Sequence, residues 1–429
     1  MTPPTITRLP GARVELTFVV TPDEARPYLD QAAIDLQEHK PIQGFRPGKA
    51  PYEEVKKAVG EMRIYETALE RIVRARYVKT VLDEGIETIG SPAISVGTLV
   101  PGQDITFTVT APIMPTVVTV MPYDAPIVTR AIKTVKETDV DAVMDDLRKM
   151  RRQETAADHA VTKDGMAIVN LEMKKDGVPL EGGSTSNYRI YMEEPHYIPG
   201  FTDHLLGLAK GDEKTFTVTF PKDHYQKMLA GKDIECTVKI ADVFDIALPV
   251  VDDAFAQGLG METVAKLRET LQANLEKEST QKADESAEIE LLEKLVRGSK
   301  FSDVPELLIN EEVRRMFREL EHAAEHQGMD MGDYLAQLKK TSDEIKLDMV
   351  PRAIERVQTA VLIKDVAKRE SVTVDEADID AEIDRILAGV KDPETRERVA
   401  SPDYRDYVMA QMRNRKTLEL LKGKAIKDA

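Results

Sequence analysis

Residues 39–51 of the chain read HKPIQGFRPGKAP, and this stretch organises the pattern around it. Proline has no backbone N–H and a fixed φ, and glycine readily adopts left-handed backbone angles. Three prolines and two glycines in so short a stretch therefore exclude a regular helix. The stretch is predicted to form a loop, and its tip displays Phe45, Arg46 and Lys49.

The segments on both sides of this loop have helix and strand patterns. Residues 22–38 and about 62–83 repeat apolar side chains at helical spacing, which predicts two helices. The side chains predicted to face inward are Ala25, Leu29, Ala32, Ala33 and Leu36 in the first helix, and Ala68, Ile72, Ala75, Val78, Val81 and Leu82 in the second. Arg13–Val20 and Ile105–Val109 alternate apolar and polar residues, as half-buried strands do. Residues 1–112 are thus predicted to form an α+β module.

The loop tip has a chemistry that suits a phosphate-bearing surface. Arg46 and Lys49 can bind phosphate oxygens, while the Phe45 ring can stack or make an apolar contact. The residues alone leave a second interpretation open, in which this is an ordinary surface loop and Phe45 packs against its own domain.

The loop also resembles a known motif. Residues 44–51, GFRPGKAP, are similar to the GFRxGKxP signature of the bacterial trigger factor family of ribosome-associated chaperones, and the signature lies between two helices there too. The resemblance implies that this domain docks on the large ribosomal subunit beside the exit tunnel. The residues that it implicates are Gly44, Phe45, Arg46, Gly48 and Lys49.

The second segment, residues 151–247, reads as short strands separated by turns. An amphipathic helix is predicted over 139–153, with Val140, Val143, Met144, Leu147 and Met150 inward, followed by a polar linker over 154–165. Strands are predicted over 167–173, 187–192, 214–220 and 234–244, and turns at 176–177, 182–183 and 210–212. A helix of one to two turns is predicted near 198–207. This pattern indicates an antiparallel sheet wrapped around a helix.

Three fragments of this segment, LEGG (180–183), YIPGF (197–201) and LLGLAKGDEKTFTVTFP (205–221), resemble an FKBP-type peptidyl-prolyl isomerase domain. In that family the reaction uses neither a nucleophile nor a metal. An apolar pocket disfavours the planar, polar form of an X–Pro amide, whose rotation barrier is roughly 18–20 kcal/mol. The resemblance implies a pocket lined by Leu171, Leu180, Tyr188, Ile198, Phe201, Tyr225 and Cys236.

The pocket departs from the family pattern at several positions. Leu171, Leu180 and Cys236 stand where the family usually has aromatic residues, and Asn170 replaces an acidic residue. These departures predict a peptide groove with weak isomerase activity. They also leave open a second interpretation, in which the domain is an isomerase scaffold with weak or lost activity that is retained for substrate contact or as a spacer.

The third segment, residues 248–429, has mainly helical patterns. Helices are predicted over 261–298, from Glu306 onward, over 352–369, and near 375–389 and 403–422, with Pro351 breaking or kinking the chain. The first of these is predicted to bury Val264, Leu267, Leu271, Leu275, Ile289, Leu292 and Leu295. Residues 303–315 and 353–374 resemble the trigger factor C-terminal domain, in which residues near 113–150 also take part. Apolar patches on such helical arms suit weak contact with unfolded chains.

Composition restricts the classes of function. The 429 residues include 59 Lys and Arg against 76 Asp and Glu, a formal net charge of −17, of which residues 1–112 contribute only −2. This distribution excludes a protein that coats nucleic acid with its whole surface but allows one small contact through the first module. The single cysteine implies a reducing compartment or indifference to redox, and the N-terminus has no apolar stretch typical of a secretory signal, so a cytoplasmic protein is predicted. No apolar run is long enough to span a membrane.

The remaining motifs of the sequence predict neither a metal nor a cofactor. Residues 322–326, HAAEH, fit a short metalloprotease pattern, but no third ligand is evident, so a solvated helix face is expected. The sequence has neither a P-loop nor a dinucleotide fingerprint, so its action is predicted to be independent of ATP.

The sequence as a whole predicts a multidomain α+β protein. Its predicted parts are a ribosome-binding domain (1–112), a linker that joins the helical domain (113–150), an FKBP-like isomerase domain with an antiparallel sheet (151–247) and an all-α chaperone domain (248–429). The predicted function is that of an ATP-independent, ribosome-associated chaperone with isomerase activity. Its predicted partners are the protein and rRNA of the large ribosomal subunit near the exit tunnel and nascent or unfolded polypeptides, with no membrane partner. A weak homodimer away from the ribosome is left open.

Two alternatives from other classes remain at this point. The chain could act mainly as an isomerase with accessory domains. It could instead be a structural factor in ribosome or complex assembly that binds folded proteins through its helical arms.

Overall fold

The computed structural model describes residues 2–39, 42–46, 48–175, 177–194, 198–222 and 229–429. The chain folds as two compact units, the first comprising Met1–Ala131 and Asp284–Ala429 and the second Ile132–Ala283. Within the described ranges, no helix has the length and apolarity that crossing a lipid bilayer requires.

The strands are β1 (Thr5–Leu9), β2 (Arg13–Val20), β3 (Ala93–Val96), β4 (Ile105–Pro112), β5 (Val117–Thr119), β6 (Val128–Arg130), β7 (Gln153–Ala156), β8 (Gly165–Lys175), β9 (Val178–Tyr191), β10 (Glu213–Thr219), β11 (Asp233–Ala247), β12 (Lys300–Phe301) and β13 (Ile426–Asp428). The helices are α1 (Pro22–His39), α2 (Tyr52–Val59), α3 (Glu61–Asp83), α4 (Glu137–Met150), α5 (Asp253–Gly258), α6 (Val264–Gly298), α7 (Glu306–His326), α8 (Met331–Leu338), α9 (Ser342–Arg369), α10 (Glu376–Gly389), α11 (Pro393–Val399) and α12 (Pro402–Ala425).

An antiparallel sheet covered by helices forms the first part of unit one. Its strands lie in the order β1, β2, β4, β3. β2 and β4 bury every second residue, as their alternating sequences predicted, and Phe18 stacks on Phe107 with ring centroids 4.9 Å apart. Leu29 of α1 and Ile64 and Ile72 of α3 complete this core. The predicted α+β module is confirmed.

Two side chains of α3 do not face the way the pattern predicted. Val78 and Leu82, expected to be inward, are 45% and 74% exposed. The buried stripe of α3 continues from Ile72 through Arg76 and Thr80, so residues two positions further on lie on the opposite side of the helix. Arg76 remains buried because its guanidinium donates to the backbone oxygen of Thr2 at 2.5 Å. The short helix α2 was not predicted.

The second part of unit one is helical, as predicted. β5 pairs with β12 and β6 runs parallel to β13, so residues 113–131 are joined to the helical region by two short ladders. Its largest core contains Tyr123, Val128, Leu291, Leu295, Leu362 and Leu421. A second, smaller core between α7 and α9 contains Val313, Met316 and Ala353.

The helical region differs from the prediction at three places. Pro351 does not break the chain, because α9 begins at Ser342 and continues through it. The carbonyl that loses its helical partner to proline belongs to Leu347, a residue that is 70% exposed and so lies on the solvent side of α9. Ile289 is exposed because the buried stripe of α6 passes through Ala287 and Leu291 instead. The short helices α8 and α11 were not predicted.

Unit two contains a five-stranded antiparallel sheet. β10, β11, β8 and β9 are adjacent in that order, and β7 pairs with β11. The predicted helix near 198–207 is a single 3-10 turn, Thr202–His204. Outside the sheet, Met144 of α4, Phe255 of α5 and Leu267 of α6 share a small core.

Two boundary predictions in this unit are wrong, and a third falls partly outside the described residues. The helix predicted over 139–153 ends at Met150, whose side chain is exposed, because the next residues form β7 within the predicted linker and pair with Phe244–Ala247. The turn predicted at 182–183 lies inside β9, where bulges in the β8–β9 ladder accommodate the two glycines. Asp176 of the other predicted turn lies outside the described residues.

Candidate functional site

The GFRPGKAP loop connects α1 to α2 through two consecutive turns. The Phe45 backbone N–H donates to the Ile42 carbonyl at 3.1 Å, and the Lys49 N–H donates to the Arg46 carbonyl at 3.0 Å. Gly44 and Gly48 have φ angles of 91° and 74°, which residues with a Cβ adopt at a cost. The glycines of the motif are therefore required by the path of the backbone. Pro47 lies outside the described residues.

The side chain of Gln37 anchors the end of this loop. Its Oε1 accepts from the Ala50 N–H at 2.6 Å, and its Nε2 donates to the Ala50 carbonyl at 3.1 Å. Gln37 is 1% exposed, and Ala50 is also buried. Sequence reasoning missed this residue, although a glutamine on the apolar stripe of α1, four residues after Ala33, was a signal that it binds backbone there.

The loop presents an aromatic ring and two cations to solvent. Phe45 is 42% exposed, so its ring does not pack fully against its own domain, and Arg46 and Lys49 are exposed. Among the described residues, no carboxylate forms an ion pair with either cation. In contrast, Lys56 and Lys57 on α2 pair with Glu61 and Glu54, both at 2.8 Å. The loop cations can therefore bind phosphate without first losing an internal partner.

Five of the seven residues predicted to line the isomerase pocket belong to one apolar cluster of unit two. Phe201 is buried, and its ring meets Phe216 edge-on with centroids 5.3 Å apart. Half-buried Leu171, Leu180 and Ile198 join the same apolar cluster, together with buried Cys236. Within the described part of the chain, Tyr188 is not in this cluster; it pairs with Val169 in the ladder and is 39% exposed. Tyr225 lies outside the described residues.

Two further residues line the same face and were missed. Met173 and Phe216 flank Cys236 on the neighbouring strands, so the three form one row across the sheet. The alternation of β8, which places Leu171 and Met173 on one side, was the signal for the first of them. His204 stacks on the Phe216 ring at 4.4 Å.

The chemistry of this pocket is apolar. Burial raises the pKa of the Cys236 thiol to about 11, so the sulfur stays protonated near neutral pH and serves as packing instead of as a nucleophile. Across the described residues, no group of three or more His, Cys, Asp or Glu side chains could hold a metal ion. In the HAAEH segment, the His322 Nδ1 lies 3.4 Å from the Glu325 Oε2, and both side chains are exposed.

Comparison with known proteins identifies the family. Residues 4–147 match the family model "Bacterial trigger factor protein (TF)", 158–248 match "FKBP-type peptidyl-prolyl cis-trans isomerase" and 263–423 match "Bacterial trigger factor protein (TF) C-terminus". A trigger factor from Agathobacter rectalis is 31% identical over 374 residues, which cover 87% of this chain and 84% of that protein. The chain belongs to the trigger factor family.

Other relatives extend this similarity along the chain. A trigger factor from Carboxydothermus hydrogenoformans is 29% identical over 415 residues, covering 96% of this chain and 97% of that protein. A solved structure described under "Promiscuous Substrate Recognition in Folding and Assembly Activities of the Trigger Factor Chaperone" covers 97% of this chain at 20% identity and a TM-score of 0.49. That structural likeness is too weak to add to the assignment.

Membership in the trigger factor family decides between the functions predicted from the sequence. The chain is a ribosome-associated chaperone for nascent polypeptides that contains an FKBP-type peptidyl-prolyl isomerase domain. The two alternatives, an isomerase with accessory domains and a structural assembly factor, are not favoured by these findings.

Proposed function

We propose that this trigger factor family member docks on the protein and rRNA of the large ribosomal subunit beside the exit tunnel through Gly44, Phe45, Arg46, Gly48 and Lys49. The observation that carries the proposal is the loop itself, because Gln37 anchors a backbone path that displays one ring and two available cations. Phosphate oxygens bind the cations while the ring takes an apolar or stacking contact. The acidic remainder of the chain is repelled by RNA, which confines the contact to this loop.

Co-sedimentation with ribosomes tests this assignment. Changing Phe45, Arg46 and Lys49 together to alanine should abolish co-sedimentation and leave the circular dichroism spectrum unchanged, because all three side chains are exposed. The matched control is Lys56→Ala with Lys57→Ala, which removes two cations from the adjacent helix α2. Equal ribosome binding by the triple variant and the parent would contradict the proposal.

The isomerase pocket is the second part of the proposal. Leu171, Leu180, Tyr188, Ile198, Phe201 and Tyr225 are proposed to enclose an X–Pro segment of a client. The buried floor of Phe201 against Phe216 supports this, because an apolar wall disfavours the planar amide relative to its twisted form. The few aromatic side chains in the described part of the pocket support weak turnover.

The remaining parts of the chain are proposed to hold clients in the cytoplasm. We assign nascent-chain binding to residues 248–429 with 113–150, assisted by residues 1–112, while residues 151–247 form the isomerase domain. Large apolar side chains exposed on the helices support this, among them Ile289, Leu338, Leu347 and Tyr407. Leu347→Ser combined with Tyr407→Ser should weaken suppression of aggregation of an unfolded client, whereas Val178→Ser in the isomerase domain should not.

A weak homodimer away from the ribosome is also proposed. Sedimentation of the free protein at rising concentration tests it, because a dimer would raise the mean sedimentation coefficient.

A further inference from the structure

A surface groove of about 830 Å³ lies on the N-terminal module between α1 and α3. Its floor is apolar and consists of Tyr28 from α1 with Ala75, Val78 and Leu82 from α3. Leu82, next to the last residue of α3, is 74% exposed, and with Val78 it forms an apolar patch that faces solvent. We call this feature the α1/α3 groove; its lining residues are distinct from those of the ribosome-docking loop.

The groove has the shape of a helix-binding site. Ala75, Val78 and Leu82 are three and four residues apart, so they form one straight apolar stripe along α3. The lined part of α3 extends from Arg71 to Asp83, which is roughly 18 Å at 1.5 Å per residue. That length matches about three turns of a partner helix laid between α1 and α3.

The rim of the groove is basic. The residues that line the groove include three cations, Arg71, Arg74 and Lys79, and one carboxylate, Asp83. This balance is opposite in sign to the net charge of −17 of the whole chain. Arg71 pairs with Asp35 at 2.5 Å and Lys79 with Asp83 at 3.1 Å, and both cations are at least half exposed. Such exposed pairs contribute only about 0–1 kcal/mol, so an incoming carboxylate can exchange with them.

We propose that the α1/α3 groove binds an acidic amphipathic helix of a partner protein. The apolar stripe receives the partner's apolar face, and Arg71, Arg74 and Lys79 meet the carboxylates on either side of it. A nucleic acid would satisfy the cations but leave Val78 and Leu82 without apolar contact, and a basic or neutral helix would satisfy only the floor. This site is independent of ribosome docking.

Binding of a designed peptide to the full chain tests the proposal. The probe is a fluorescent helical peptide of about 21 residues, long enough to be helical, with leucines along one face and glutamates elsewhere. A matched probe carries lysine at every glutamate position. Fluorescence anisotropy should show binding of the acidic peptide at least about tenfold tighter than the lysine peptide, with a difference that shrinks as salt rises.

Variants of the chain locate the site. Val78→Ser with Leu82→Ser, and separately Arg74→Glu, should each weaken acidic-peptide binding about tenfold, while Val178→Ser, at an exposed apolar residue of β9, should not. The triple alanine variant of the docking loop should bind the peptide normally, which separates failure of this proposal from failure of the ribosome assignment. Equal binding of the two peptides, or unchanged binding by the serine variant, would overturn the proposal. A third result would also overturn the proposal: the parent chain does not bind the acidic peptide but self-associates, and the serine variant does not self-associate. The groove would then be assigned to a second copy of this chain.

Discussion

The side-chain amide of Gln37 forms two hydrogen bonds to the backbone of Ala50, accepting from its N–H at 2.6 Å and donating to its carbonyl at 3.1 Å. Both residues are buried, so the pair connects the interior of α1 to the end of the exposed loop. Between them, the chain makes the turns that display Phe45 and Lys49. One buried glutamine thus fixes the backbone position at the end of the exposed loop.

Replacing Gln37 by leucine tests this anchor. Ala50 would keep its buried N–H and carbonyl but lose both partners, which costs about 1–3 kcal/mol of folding free energy per unsatisfied group. We expect a lower melting temperature of the N-terminal module and weaker ribosome co-sedimentation, although no loop residue is changed. Gln31→Leu, on the exposed side of α1, is the control and should do neither. Normal docking by Gln37→Leu would show that the loop holds its path without the anchor.

The aromatic floor of the isomerase pocket can be changed without emptying it. Phe201→Leu retains most of the side-chain volume but removes the edge-on contact with Phe216. We expect kcat/KM for an X–Pro peptide to fall about tenfold or more while the domain stays folded. Phe45→Leu in the docking loop provides the control and should keep full isomerase activity. Full turnover by Phe201→Leu would remove Phe201 from the pocket assignment.

Pro351 lies inside α9 and weakens it. Alanine at this position can restore the hydrogen bond to the Leu347 carbonyl and removes the ring from the preceding turn. We expect Pro351→Ala to stabilise the helical region by about 1–3 kcal/mol, measured by chemical denaturation. Pro402→Ala, at the exposed first position of α12 where no helical bond is lost, should change stability little. A destabilised Pro351→Ala variant would mean that the proline shapes α9 for packing.

The carboxylate of Glu370, the C-cap residue of α9, makes the free energy of unfolding depend on pH in the acidic range. The Lys424 ammonium, 2.9 Å away, and then the Tyr123 hydroxyl hold the pKa of Glu370 below its ordinary value of 4.5. A lowered folded pKa contributes stability that is complete above about pH 4.5 and is lost as pH falls through the folded value. Glu370→Gln should therefore lose stability at pH 7 but show a smaller further loss on acidification than the parent.

Denaturation curves at pH 7 and at pH 3–4 check this difference. Glu311→Gln, an exposed carboxylate on α7, is the control and should keep the acid dependence of the parent. Parallel pH profiles for Glu370→Gln and the parent would contradict the role of this cluster.

Short-range patterns in the sequence were sufficient for most of the fold and for the loop conformation of residues 42–46 and 48–50. The alternation of β2 and β4, the stripe of α1 and the glycines of the GFRPGKAP loop act over a few residues, so the module and its loop were predictable, whereas the exposure of Phe45 was left open. The fragments that resemble the FKBP-type domain likewise predicted that Leu171, Ile198 and Phe201 lie together, and they share one apolar cluster. Each of these features depends on local backbone geometry or on the period of a single element.

The tertiary structure decided which face of each element is buried and which distant residues meet. Val78 and Leu82 are apolar at helical spacing, but the sheet reaches only the stripe through Ile72 and Arg76, so the α1/α3 groove was not predictable. β7 forms because β11 offers it a partner about ninety residues later in the chain. The sequence by itself determined the elements and the loop motif, since both follow from local sterics and hydrophobic period. Only the tertiary structure decided the Gln37 anchor, the row formed by Met173, Cys236 and Phe216, and the exposed groove, because burial depends on neighbours that no single element specifies.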